Sequence, residues 1–340
     1  METVLLDTLR SIVCSLVIAL ALSICCSRVA FAAPAVKKVD VEKQIDRLLK
    51  KMTIEEKAGQ LNQSGFGPFE KYMKSATGLG HLVLQWGGGT TSEQSIAEVN
   101  RLQKIAVEET RLGIPLMVGC DGIYDARVAD SVTFPQEISM GSTWDTELIK
   151  QVYGVISSEL RAVGYTRTYS PNVGVARDPR FGRTGECYSE DTYLTTKMAV
   201  AAVEGLKGDS LKTGIMATLK HYAAHDAGIG GKDSSGIDLS DRQLREVWLP
   251  PFKAGIDAGA GSIMCAYHAV NGVPCAANKY LLTDILKKEW GFDGFVVTDF
   301  MCVESLFDSQ HIADSLDQAT KMAFEAGLDV HDHDLGDDFA

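Results

Sequence analysis

A basic surface is the first thing this sequence lacks. Its 340 residues carry 33 Lys and Arg against 45 Asp and Glu, a formal charge of -12, with no Lys/Arg-rich run that could neutralise a phosphate backbone. Nucleic acid is therefore not an expected partner. A disulfide framework is missing as well. Of eight cysteines, Cys14, Cys25 and Cys26 fall in an N-terminal apolar stretch. Cys120, Cys187, Cys265, Cys275 and Cys302 are left as an odd, scattered set. One bridge fits that number, but buried free thiols are the expectation for positions inside apolar runs, such as Cys265 in "SIMCAY". No G-x-G-x-x-G follows the first strand-like run, which argues against a dinucleotide fold. No repeat, low-complexity segment or Pro/Gly/Ser linker divides the chain after residue 50, so a single domain is expected.

Long apolar runs are confined to the N-terminus. There Arg10 precedes an apolar stretch from Ser11 to Cys26, and "AFA" follows with Ala30 and Ala32 spaced for signal peptidase. Residues 1–32 read as a cleaved signal peptide, which makes 33–340 a secreted or periplasmic chain with no membrane contact after cleavage. The stretch is shorter than the roughly 20 residues a spanning helix needs. Ile24 stands where a lipoprotein anchor at Cys25 would need a small residue.

What is present is a core-forming composition, 45% hydrophobic, in an alternating pattern. Thr53 with Glu56 makes a capping box, Ser240 caps another helix, and residues 144–164 place Leu148, Val152, Val155, Ile156, Leu160 and Val163 on one helical face. Short apolar runs at 59–64, 79–86, 115–121, 166–175, 215–222, 261–267, 294–300 and 328–333 read as strands. Strands separated by helices require a parallel sheet covered by helices, and about eight units over roughly 280 residues fit a TIM-type (β/α)8 barrel. Only "DLGDDFA" follows the last run, so the barrel is expected to be incomplete at its C-terminal helix and to need a further segment.

In such a barrel the working residues project from the C-terminal strand ends. Here those ends carry Asp121, Lys220 with His221, Tyr267 and Asp299, with a polar segment after Val175. A single Asp there is usually a helix cap. Five such strand ends together point to an enzyme acting on a polar substrate.

The stretches "SPNVGVARDPRFGRTGECYSEDTYL", "ATLKHYAAHDAG", "LPPFKAGIDAGAGSIMCAYHAVNGVP" and "LLTDILKKEWGFDGFVVTDF" resemble the N-terminal barrel domain of family 3 glycoside hydrolases, whose commonest members are exported β-glucosidases. The resemblance runs from about Glu42 to Val330. It implies retaining hydrolysis of β-D-glucosyl or β-xylosyl ends, with Asp299 of "TDF" as the nucleophile that forms a glycosyl-enzyme. It further implies that Asp121 accepts from sugar hydroxyls, that Arg183, Lys220 and His221 donate to others while keeping neighbouring carboxylates ionised, and that Tyr267 lies close to the nucleophile. Arg177, Asp178 and Arg180 fit either ligand contact or an internal ion pair bracing their loop. The expected ligand is a small β-linked oligosaccharide or glycoside, with no cofactor and no metal.

Two departures from the family pattern, Tyr124 with Asp125 and His268, bear on substrate preference. The resemblance also implies an acid/base from a domain beyond this chain, since Ser235 stands where the family's N-acetylglucosaminidase branch has a catalytic His. Glu190, Asp226 and Asp233 are the acids close by in sequence, each read as a solvated loop residue. "HDHD" at His331–Asp334 has metal-ligand residue types, but it is read as a solvated run at the chain end. Alternatives are an inactive glycan-binding chain or a β-N-acetylhexosaminidase.

Overall fold

Each of the eight apolar runs becomes a strand. The structure, a computed structural model, describes residues 40–332 apart from 66 and 85–88; the signal-peptide reading and the end of "HDHD" lie outside the described residues. The strands are β1 Asn62–Ser64, β2 His81–Val83, β3 Met117–Cys120, β4 Arg167–Thr168, β5 Met216–Tyr222, β6 Ser262–Cys265, β7 Phe295–Thr298 and β8 His331–Asp332. Every neighbouring pair from β1 to β7 is parallel, and β8 pairs with β1 through Asn62–His331 and Gln63–Asp332. A Val297–Val330 bridge joins β7 to β8, with Val330 N–H donating to Val296 O at 2.9 Å and Thr298 N–H to Val330 O at 3.0 Å. Among the described residues the ring is thus a nearly closed (β/α) barrel, its seam between β7 and β8 joined by that bridge.

The chain forms two compact units, 1–50 and 51–340. The described part of the first is essentially the helix Val41–Lys51, none of whose residues is buried. In the second, the Thr53–Glu56 capping box opens Ile54–Gly59 and Ser240 caps Asp241–Gln243, as expected. Longer helices Ser92–Lys104, Thr146–Ala162, Thr192–Lys207, Pro250–Ala258 and Leu316–Ala326 lie between strands. Between β1 and β2, however, the only helix among the described residues is the five-residue Phe69–Met73.

The buried face of Thr146–Ala162 differs from expectation. Leu148 and Val155 are each 42% exposed, while Ile149, Tyr153, Ile156, Ser157 and Leu160 face inward. Two apolar stripes overlap on this helix, and hydrogen bonding selects between them: Tyr153 donates to Glu137 Oε1 at 2.7 Å and Ser157 to Leu206 O at 2.7 Å.

Apolar packing lies in two layers. A large cluster fills the space between strands and helices, and includes Leu219, Phe252, Ile263, Leu282 and Leu286. Inside the barrel, Val83, Tyr169, Met264, Val297 and Val330 pack with Phe295. Arg167 is fully buried there, hydrogen-bonded to Gln63 and the Tyr169 hydroxyl and lying 4.8 Å over the Tyr169 ring. Cys120, Cys187, Cys265, Cys275 and Cys302 are buried and free. Among the described residues no helix is long and apolar enough to cross a membrane.

Candidate active site

The parallel strands aim six polar side chains at one place. Asp121 follows β3, Lys220 and His221 lie at the C-terminal end of β5, Tyr267 follows β6, Asp299 follows β7, and Arg183 comes from the loop after β4. All six line a single cavity of about 490 Å³, together with Gly65, Val83, Arg127, Tyr169, Met264, Phe300 and Asp332. A larger cavity of about 560 Å³, lined by residues such as Thr53, Met73 and Leu116, holds charges that already pair with one another, Lys74 with Glu109 and Arg111 with Glu56.

Lys220 is buried and donates to Asp121 Oδ1 at 2.7 Å. Burial opposes its charge, yet Asp121, Glu186 and Asp299 outweigh burial and raise its pKa, so it is a cation. Arg183 is held by a two-pronged pair to Glu186, at 2.9 and 2.8 Å. Its Nη2 lies 3.2 Å from His221 Nε2. Burial, then His225, Arg183 and Lys220, lower the His221 pKa well below its ordinary value, so His221 is a neutral ring. Its Nε2 accepts from Arg183, and the 3.4 Å approach to Asp299 Oδ2 is a contact with a neutral group.

Asp299 sits among these groups with its side chain 18% exposed. Phe300 N–H donates to its Oδ1 at 2.9 Å. Burial raises its pKa, while Lys220, the Phe300 N–H and Arg183 lower it; the net direction is upward. The two cations therefore offset only part of the desolvation penalty on this carboxylate, whereas for Glu186 the Arg183 pair overcomes burial and the pKa falls. Tyr267 donates its hydroxyl to Phe300 O at 2.7 Å, and burial with the Asp299 charge pushes its phenol up.

Some of the other expectations are revised and some are not. Asp226 is not solvated: it is buried, Oδ2 has no hydrogen-bond partner, and burial lifts its pKa to about 7. Asp233 is 2.7 Å from buried His225, and Glu190 is exposed. None of the three lines the cavity. His331 and Asp332 of "HDHD" are not solvated either; they are buried strand residues, 6% exposed each. Asp178 pairs with Arg180 at 2.6 Å, which is the loop-bracing arrangement, and Arg177 lies 5.6 Å over the Trp248 ring. Tyr124, Asp125 and His268 do not line the cavity. Asp125 instead accepts from Arg127 N–H at 2.9 Å, and buried His268 stacks on His225.

Sequence reasoning missed Arg127 and Asp332. Arg127 lines the cavity with a left-handed φ of 58° and a buried Nε lacking a partner. A cation six residues beyond Asp121, in the segment that follows β3, was the available signal. The strand period could have marked Asp332, since it stands two residues beyond the interior Val330.

Residues 53–332 match the model of the glycosyl hydrolase family 3 N-terminal domain. This chain belongs to that family. It is 34% identical over 287 residues to a periplasmic β-glucosidase of Salmonella typhimurium, covering 83% of this chain and 36% of that one. It is 39% identical over 251 residues to a β-xylosidase of Formosa agariphila, covering 71% and 34%. Among solved structures, a β-glucosidase from Erythrobacter marinus superposes with a TM-score of 0.81 at 28% identity, covering 88% of this chain and 41% of that one. A β-glucosidase from Listeria innocua in complex with glucose gives 0.76 at 28%, covering 86% and 42%. The chain thus spans about a third of the length of these curated relatives.

Proposed function

We propose that this family 3 chain supplies the nucleophile and sugar grip of an exported retaining β-glycosidase acting on β-glucosyl or β-xylosyl ends of small glycosides. The single observation that carries this is Asp299 at the end of β7, in one cavity with Asp121, Arg183, Lys220, His221 and Tyr267. An Asp299 oxygen bonds to the anomeric carbon as the bond to the aglycone oxygen breaks; that oxygen takes a proton from an acid, and water then cleaves the ester. Asp121 accepts sugar hydroxyls, while Lys220 and Arg183 donate to them and steady Asp299 as a carboxylate. The relatives named β-glucosidase and β-xylosidase support the substrate class.

The acid must flank the scissile bond on the side away from the nucleophile, roughly 5–5.5 Å from it. Asp332 lies beside Asp299 on the adjoining strand, on the nucleophile's own side, so we assign the acid to a carboxyl outside the described residues, in a further domain. The periplasmic relative supports export, with residues 1–32 as the signal and Ala33 as the first residue of the mature chain.

A 2,4-dinitrophenyl β-glucoside needs no acid for its leaving group, so it isolates the nucleophile. The 340-residue chain is expected to release about one equivalent of dinitrophenol in a burst, and added azide is expected to restore turnover by replacing base-assisted water. No burst with retained glucose binding would identify a glycan-binding site without chemistry.

A further inference from the structure

Asp332 is an acid that the reading of the site has not used. It lies in β8, 6% exposed, and lines the same cavity as Asp299. The Val297–Val330 bridge puts β7 and β8 in parallel register two residues before both aspartates. Val297 and Val330 share the barrel interior, and strand alternation sends the side chains two positions on to the same face. Asp299 and Asp332 are therefore lateral neighbours, on backbones about 5 Å apart. Two further bonds fix the register, from Asp332 N–H to Thr298 Oγ1 at 2.8 Å and from Met301 N–H to Asp332 O at 3.0 Å. Asp332 Oδ1 is buried without a hydrogen-bond partner.

We propose that Asp332 is the proton-holding partner of Asp299: a positioning residue that holds its proton more tightly while Asp299 is charged and gives it up more readily, to solvent in the shared cavity, once that charge disappears into a glycosyl ester. Two carboxylates side by side in a low-dielectric site cannot both ionise readily, so one retains a proton. The surroundings select Asp332 for that part. Lys220 and Arg183 face Asp299 and offset part of the upward push of burial on its pKa. Facing Asp332 are Gln63 from β1, Arg167 from β4 and Tyr169 just after it, Tyr267 from beyond β6, Asp299, and Glu304 from beyond β7. Burial and the Asp299 and Glu304 charges push Asp332 up, Gln63 and Arg167 pull it down, and it settles at about 7. When Asp299 is esterified, the charge opposing ionisation of Asp332 is gone and its proton becomes more acidic, so Asp332 takes up part of the negative charge that Asp299 loses.

This rests on the reading of Asp299 as the charged nucleophile, and the test separates the two. The ¹³C resonances of the aspartate carboxyls are titrated in the wild-type chain and in Asp299→Asn, which removes the charge and keeps the shape; Asp332→Asn serves only to assign the Asp332 signal. The Asp332 midpoint is expected near neutrality in the wild type and lower by about one unit in Asp299→Asn. An unchanged midpoint, or an Asp332 already ionised at pH 5, overturns the pairing. In parallel, the wild type is treated with a 2-deoxy-2-fluoro glycoside. A linked titration without covalent label sinks the nucleophile and leaves the pair; a label on Asp299 with unlinked titrations sinks the pair alone.

Discussion

At the residue scale, the site depends on Lys220. It is buried, bonded to Asp121, and the largest influence holding the Asp299 pKa down against burial. Lys220→Met is therefore expected to act in two ways. Losing a charged hydrogen-bond donor weakens glucose binding by about 1.5–3 kcal/mol, roughly 10- to 100-fold, which titration calorimetry reads. It also lets the Asp299 pKa climb further, so the acid limb of covalent trapping moves to higher pH. Trapping at pH 5 then falls more than trapping at pH 7. An acid limb that stays in place would mean that Lys220 does not act on Asp299.

The same scale shows what sequence alone could convey. Lys220, Asp121 and Asp299 were legible because each polar residue ends an apolar strand at the barrel's working face. Arg127 was not, because a loop in left-handed conformation delivers it and no periodicity encodes that turn. Asp332 was misread as solvated because a charged pair near the chain end looks like a tail, whereas closure of the barrel between β1 and β7 buries it.

At the element scale, the strands were readable and the helix faces less so. Alternation alone specifies a parallel barrel. Which stripe of Thr146–Ala162 turns inward was settled by the Tyr153 and Ser157 hydrogen bonds, which an apolar count does not register. The neighbouring helix Thr192–Lys207 offers a test of that packing. Replacing a helical glycine by alanine ordinarily stabilises by up to about 1 kcal/mol. At Gly205, however, a Cβ would stand 2.4 Å from Lys150 O and 2.9 Å from Tyr153 Cβ, with backbone on the facing helix blocking retreat. Gly205→Ala is thus expected to destabilise, by about 1–3 kcal/mol, in urea unfolding. A stabilised variant would show that the two helices do not approach so closely. The cap of this helix, Asp191, accepts from Leu194 N–H at 2.7 Å, and Asp191→Ala should cost about 1 kcal/mol.

At the scale of the whole molecule, several carboxyls are buried with raised pKa values. Glu137 is lifted well above its ordinary value by burial, and Asp226 and Asp332 to about 7. In the unfolded chain such groups titrate near 4. Between roughly pH 4 and pH 7 these groups have lost protons in the unfolded state that they keep in the folded one, so their contribution to stability falls as pH rises through that window. Asp226, which does not line the cavity, isolates the effect. Asp226→Asn should raise the melting temperature at pH 8, where the wild type must ionise a buried group, and change it much less at pH 5. An equal shift at both values would mean that Asp226 is not a proton-holding group.

The relatives matched here are about three times as long as the matched region, yet the cavity, its grip and Asp299 all lie within residues 53–332. The most direct measurement of this division of labour is intact-mass spectrometry of the 340-residue chain after incubation with 2,4-dinitrophenyl 2-deoxy-2-fluoro-β-glucoside, followed by peptide mapping. The expected result is a mass gain of one fluoroglucosyl group, placed on Asp299 and absent from Asp299→Asn. A label on any other carboxyl, or an unlabelled chain that still binds glucose, would contradict Asp299 as the nucleophile.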